Sequence, residues 1–185
     1  MPAYETNDET FARRRYIQVY TGLGKGKTTA AVGQAVRAAG HGLKTLIVMF
    51  MKNYPYGEIS TLEKLKDHIA VEQYGDDAFV LRREKPSPND LAVARKALDR
   101  AETAMREKQF DIVILDEICV AHYFGLVTTE AVTNVLEKKP EEVELILTGR
   151  YCPPEWIEKA DLVTDMTEIK HYYTDGITAR EGFES

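Results

Sequence analysis

The chain has very little sulfur, only 2 cysteines in 185 residues, and neither CxxC pairs nor Cys/His clusters with zinc-like spacing. A disulfide framework and a structural zinc site are therefore excluded as the basis of the fold, and so few thiols fit a reducing cytoplasm. No apolar run reaches the roughly 18 residues of a membrane span. The first residues lack an apolar h-region, with Glu5, Asp8 and Glu9 ahead of Arg13, Arg14 and Arg15, so no signal peptide is expected. There is no excess of basic residues either. Lys and Arg number 24 against 30 Asp and Glu, a net charge of -6, which argues against a nucleic-acid binder working by general electrostatic attraction. A small-molecule partner is the better expectation. A chain of this length buries roughly 70% of the surface its unfolded form exposes, enough for one self-sufficient core.

What is present is a regular alternation of short apolar runs with helical stretches. Residues 1–15 are polar and unpatterned and read as a flexible arm or a short helix; one domain follows over 16–185. Strands are expected at Tyr16–Tyr20, Lys44–Met51, Ile69–Tyr74, Phe110–Leu115, Val143–Thr148 and, shorter, Asp161–Asp165. Between them lie a helix after the first strand stopping at Gly40, a helical stretch Glu58–Lys66, a loop Gly75–Pro88, a long helix, a helix over Thr129–Lys139, and a turn or two over Pro153–Lys159. The long helix opens on converging signals: Ser87 as N-cap, Pro88 at N1 and Asp90 at N3. Leu91, Ala94, Leu98, Ala101 and Met105 then define one of its faces. Strands separated by helices imply crossovers and a mostly parallel sheet of about six strands with helices on both faces. Ligands of such sheets bind beyond the carboxyl ends of the strands.

The strongest motif sits at the first such end: Thr21-Gly22-Leu23-Gly24-Lys25-Gly26-Lys27-Thr28-Thr29, opening into a helix. Backbone amides of a Gly-rich loop wrap phosphates, Lys27 neutralises them, and Thr28 offers a hydroxyl to Mg²⁺. The strict GxxxxGK[ST] pattern has Gly where this chain has Thr21, and Lys25 adds a second charge. A dinucleotide-binding reading fails because GxGxxG is absent and the second strand ends in Lys52, not an acid. The fourth strand ends in Asp116-Glu117, a Walker B-like acidic end that holds Mg²⁺ directly or through water. Spacing leaves open which acid touches the metal, and strand alternation would point the two to opposite sides. The combination predicts a RecA-like P-loop nucleotide-binding α/β fold.

Weaker candidates carry two readings each. Arg150, after Thr148-Gly149, contacts phosphate or nucleotide, or forms a surface salt bridge. His41 is a helix-end residue or a catalytic one, His68 an exposed loop residue, and His122 with Tyr123 either line a pocket or pack. Phe79 is an apolar residue in a charged loop. Cys119 and Cys152 look separate. No nucleophile–base–acid triad and no paired carboxylates for glycoside chemistry can be read from spacing.

Four blocks, YTGLGKGKTTAAVGQAVRAAGHG (Tyr20 to Gly42), VILDEI (Val113 to Ile118), ILTGRYCP (Ile146 to Pro153) and ADLVTDMTEIKHYYTDGITAREGFE (Ala160 to Glu184), resemble the P-loop ATP:corrinoid adenosyltransferases of cobalamin biosynthesis and salvage. The resemblance implies transfer of the 5′-deoxyadenosyl group of ATP to cobalt(I) of a reduced corrinoid, cob(I)alamin or cob(I)yrinic acid a,c-diamide, with release of triphosphate. ATP would lie reversed in the loop, exposing C5′. Lys25, Lys27 and the loop from Thr21 through Gly22, Leu23, Gly24 and Gly26 to Thr28 and Thr29 would hold ATP. Thr28 and Glu117 would hold Mg²⁺ or Mn²⁺, with Asp116 behind them and Arg150 on the nucleotide. In place of the family's GFTWE-like stretch stands Gly75-Asp76-Asp77-Ala78-Phe79-Val80, so Phe79 would shield the corrinoid's lower face; the single tryptophan, Trp156, is elsewhere. The resemblance further implies a cytoplasmic homodimer whose N-terminal segments cover neighbouring corrinoid sites, and a flavoprotein reductase as a possible electron source. The rival on the same fold is a nucleotide kinase or ATPase acting at the γ-phosphate; a nucleotide-gated binding module without net chemistry is the third reading.

Overall fold

The computed structural model describes residues 14–76 and 85–183. Its strands are β1 (Ile17–Thr21), β2 (Thr45–Phe50), β3 (Ile69–Tyr74), β4 (Ile112–Asp116), β5 (Glu144–Thr148) and β6 (Leu162–Asp165). Its α-helices are α1 (Lys27–Ala39), α2 (Gly57–Leu62), α3 (Pro88–Arg106), α4 (Ile118–Tyr123), α5 (Thr129–Glu137) and α6 (Pro154–Lys159), with short 3₁₀ turns at Glu63–Leu65 and Tyr172–Asp175. The strands form one all-parallel sheet in the order β3-β2-β4-β5-β1-β6. The α/β fold with a parallel sheet is as the sequence pattern predicts.

The continuous apolar runs follow from burial on both faces, because alternate residues feed two cores. Leu46, Val48 and Phe50 of β2, Val113 and Leu115 of β4, and Leu145 and Leu147 of β5 pack with α3, α4, α5 and Trp156 of α6. Ile47 and Met49, Ile112 and Ile114, and Ile146 face the other way onto Ala31, Ala35 and Ala38 of α1 and Leu62 of α2. The alanine spacing of 4 and 3 gives α1 a smooth stripe that lets its axis approach the sheet closely. At the outer edge, β6 pairs with β1 alone among the described residues, and all four of its residues are exposed.

Local signals explain the starts of α3 and α5, whose N-cap residues Ser87 and Thr128 accept from backbone amides. Ser87 and Asp90 form a complete capping box, with Ser87 Oγ accepting from the Asp90 amide at 3.2 Å and Asp90 accepting from the Ser87 amide at 2.9 Å. Two readings of the helices need correction, Leu91 and α4. Leu91 is exposed, so the buried stripe of α3 begins at Ala94 and is widened by Ala97 and Ala104. As expected, α1 stops at Gly40, its C-cap residue, in a right-handed conformation, and a left-handed turn follows at Gly42, φ 76°. Helix α4, unexpected from sequence, consists of six residues started by the turn at Glu117. Of the N-terminal arm, only its last two residues are described: the Arg15 amide donates to Glu141 O at 2.9 Å, and Lys139 donates to Arg15 O at 3.0 Å, so the chain is fastened just before β1.

Candidate active site

All six strands end at one rim, and alternation decides which side chains meet there. Asp116 continues the Ile112–Ile114 side of β4, and Thr148 the Ile146 side of β5; both therefore turn toward α1, where Thr28 stands on the first helical turn. The result is a network around one carboxylate. Asp116, only 1% exposed, accepts from Thr28 Oγ1 and Thr148 Oγ1 on Oδ1, each at 2.8 Å, and from Lys52 Nζ on Oδ2 at 2.7 Å.

Lys52 reaches this network through a break in alternation. Met51 adopts φ 54°, which reverses the side-chain order: Met51 joins the α3-side core and Lys52 crosses to the α1 side. Burial pulls the Lys52 pKa down, but Asp116, through charge and hydrogen bond, with Glu117 and Glu58, outweighs it and leaves the pKa raised. The ammonium also lies 5.0 Å from the centroid of the Tyr56 ring.

The acidic pair does not alternate as strand geometry would have it. β4 stops at Asp116, and Glu117 takes a left-handed conformation, φ 62° and ψ 20°, while its amide donates to Thr148 Oγ1 at 2.9 Å. A non-glycine residue held there costs about 1–3 kcal/mol, and such residues cluster at functional sites. Burial raises the Glu117 pKa and the Asp116 charge raises it further, against Lys52, Lys27 and Arg150.

In the Gly-rich loop, Lys27 is 8% exposed, and its ammonium donates to Gly22 O at 2.8 Å and Gly24 O at 2.7 Å. Burial lowers its pKa. Three donors sit on an ammonium, so one remains for a phosphate oxygen. The segment leaving β6 lies against the loop: the Met166 amide donates to Thr21 O at 2.8 Å, and Met166 O accepts from the Gly24 amide at 2.6 Å. This contact supplies a further reason for two of the loop's glycines. A Cβ on Gly22, φ 97°, would stand 2.6 Å from Met166 O, and one on Gly24 likewise 2.6 Å. Thr21 tolerates a side chain because it is still β1, in register with Asp165. Outside the loop an open cleft of about 730 Å³ is lined by Lys25, Thr28, Thr29, Lys52, Tyr56 and Glu117, and the C-terminal Gly182 and Phe183 return to its wall.

The model of the family described as ATP:corrinoid adenosyltransferase BtuR/CobO/CobP matches residues 13–185. The chain belongs to this family. It is 35% identical over 172 residues to the corrinoid adenosyltransferase of Escherichia coli K12, covering 92% of this chain and 86% of that protein. It is 36% identical over 170 residues to a corrinoid adenosyltransferase of Sinorhizobium sp., covering 91% and 79%. With the corrinoid adenosyltransferase CobA of Salmonella typhimurium LT2 the identity is 33% over 172 residues, covering 92% and 86%.

Other sequence candidates divide clearly in this family member. Arg150 is exposed and lies 5.8 Å over the ring of Tyr151, which stacks on Tyr123 with centroids 4.4 Å apart and planes at 29°. Its charge acts on both Lys27 and Glu117, so it borders the site. His122 packs: its Nε2 lies 2.8 Å from Thr129 Oγ1 and its ring edge meets buried Trp156 at 5.1 Å, and burial lowers its pKa. Tyr123 is 59% exposed, part of the column beside Arg150 and not of a core. His68 is half-buried, with Nδ1 inaccessible and unbonded, which corrects its reading as an exposed loop residue. His171 caps the last 3₁₀ turn by accepting from the Tyr173 amide at 3.1 Å. Cys119 and Cys152, separate in sequence, meet in the fold, where their hydrogen bond and burial raise the Cys119 pKa. Phe79 lies outside the described residues. Lys52 is the residue that sequence reasoning passed over: its position at a strand's carboxyl end was a signal, used only against the dinucleotide reading.

A divalent cation fits this donor set. Among the described residues no group of three or more His, Cys, Asp and Glu could cage a metal alone. Mg²⁺ shared with substrate phosphates needs only one or two protein oxygens. Thr28 spends its proton on Asp116, leaving its lone pairs to the cleft that Glu117 also lines.

Proposed function

We propose that the chain transfers the 5′-deoxyadenosyl group of ATP to cobalt(I) of a reduced corrinoid, releasing triphosphate, in adenosylcobalamin biosynthesis. The observation that carries this reading is the convergence of Lys27, Thr28 and Asp116 at one sheet rim in a chain that matches the family from residue 13 to 185. Cobalt(I) is itself the nucleophile: its electron pair forms the bond to C5′, and the C5′–O bond breaks with its electrons leaving on triphosphate. The protein's task is then to position C5′ and stabilise the leaving charge. Lys25, Lys27 and free loop amides among Thr21 to Thr29 hold the triphosphate, the Gly24 amide being already committed to Met166. Thr28 and Glu117 would hold Mg²⁺, which would supply positive charge beside the phosphates. Arg150, fixed on Tyr151, lends a further positive charge at the nucleotide. Phe79 shields the lower face of the corrinoid. A reducing cytoplasm, a flavoprotein electron donor and a homodimer belong to the same reading.

Product analysis tests it. With ATP, Mg²⁺ and chemically reduced corrinoid, triphosphate and a cobalt–carbon bond are expected in equal amounts; ADP without alkylated corrinoid supports the γ-phosphate enzyme instead. Glu117→Gln, which keeps the shape and removes the charge, is expected to raise the Mg²⁺ concentration for half-maximal rate by about tenfold or more. An unchanged Mg²⁺ titration removes Glu117 from the metal.

A further inference from the structure

We propose that Lys52 and Thr148 are positioning residues which, through Asp116, aim the Thr28 hydroxyl and the Glu117 carboxylate at a single divalent cation. The inference rests on the nucleotide-site reading above and adds two residues to it. Its basis is a proton count. A threonine hydroxyl has one proton and two lone pairs. Thr28 donates that proton to Asp116 Oδ1, so its lone pairs are left for the cleft. Thr148 donates to the same oxygen and with a lone pair accepts the Glu117 amide, tying down the residue whose backbone sits at φ 62°.

Both hydrogen bonds end on one oxygen of a carboxyl group buried from solvent. A carboxylate 1% exposed is expensive unless a charge and hydrogen bonds compensate it. Lys52 is that charge, bonded at 2.7 Å to the oxygen the threonines do not use. With Lys52 removed, Oδ2 loses its hydrogen-bond partner, and the carboxylate is free to rotate away from the two threonine hydroxyls that it holds on Oδ1. The left-handed turn at Met51 serves both ends, seating Met51 in the α3-side core and delivering Lys52 to Asp116.

The test measures cation binding without turnover. Mn²⁺ binding to the full chain in the presence of ATP and absence of corrinoid is followed by electron paramagnetic resonance, and ATP binding without metal by calorimetry in EDTA. Lys52→Met is expected to weaken Mn²⁺ binding about 10–100-fold while metal-free ATP affinity moves less than about threefold, and Lys52→Arg to restore most of the loss. Thr148→Val, which keeps the β-branched shape, should weaken Mn²⁺ binding, and Thr148→Ser should restore it; this pair decides the matter should Lys52→Met fail to fold. Unchanged Mn²⁺ affinity in Lys52→Met or Thr148→Val overturns the inference. Equal losses of Mn²⁺ and metal-free ATP affinity also overturn it, because Lys52 would then contact phosphate directly. Failure of the wild-type chain to bind Mn²⁺ with ATP overturns the site reading as well.

Discussion

Lys27→Ala is expected to lower kcat/KM for ATP by about 10²–10³-fold or more, the scale seen when a single pre-aimed electrostatic contact to developing charge is removed. Its ammonium is the most buried cation of the loop, held by two loop carbonyls at 2.8 and 2.7 Å, and nothing else in the described site stands in the same place. The fold should barely notice. Burial lowers the Lys27 pKa, so the charged form is less favoured in the folded chain than in water, and its removal takes away a cost as well as two hydrogen bonds. The melting temperature is therefore expected to stay within a few degrees of wild type while activity collapses, a separation typical of groups kept for function against stability. Lys27→Arg should rescue little, because a planar guanidinium cannot place a compact charge between the Gly22 and Gly24 carbonyls. Activity of Lys27→Ala within tenfold of wild type would remove Lys27 from the leaving-group site.

Gly22→Ala should do the reverse and damage fold and site together. At φ 97° a side chain is strained whatever the space, and here the added Cβ would stand 2.6 Å from Met166 O and 2.7 Å from Met166 N, both backbone atoms. Left-handed strain and overpacking of this kind each cost about 1–3 kcal/mol. For a chain of this size, a melting temperature lower by roughly 5–15 °C is expected. Relief can come only by pulling the end of β6 away from β1, which would break the Met166–Thr21 and Gly24–Met166 hydrogen bonds and release the loop. ATP binding should fall with stability. The control is Gly33→Ala: Gly33 lies in the exposed face of α1 with nothing within 4 Å of an added Cβ, and alanine there should stabilise by about 0.5–1 kcal/mol. Thermal melts of the two variants, side by side, separate a glycine required by close approach from one that is merely tolerated.

The two differ in how much the sequence could say about them. The fold class was legible because strands buried on both faces leave runs such as Leu46–Phe50 and Ile112–Leu115, and because Ser87, Pro88 and Asp90 state a helix start in local terms. The phosphate loop was legible for the same reason: its chemistry lies within nine consecutive residues. What stayed hidden depends on single backbone torsions. The left-handed turn at Met51 sends Lys52 to the far side of the sheet, and the one at Glu117 ends β4 and begins α4; neither residue type announces such a turn. The further reason for Gly22 and Gly24 was hidden for a different cause, since the segment that crowds them comes from β6, some 140 positions later, where no local pattern records the contact. Cys119 and Cys152 meet only because α4 and the loop after β5 rise from neighbouring strands.

The central claim is that the bond broken is C5′–O and not a bond to the γ-phosphorus. ATP carrying ¹⁸O in the bridge between C5′ and the α-phosphorus tests it most directly, with reduced corrinoid, Mg²⁺ and mass analysis of all products. Attack at C5′ leaves the bridging oxygen with the departing group, so the account predicts all of the label in triphosphate and none bound to carbon. Label retained in ADP, with its C5′–O bond intact, would contradict it.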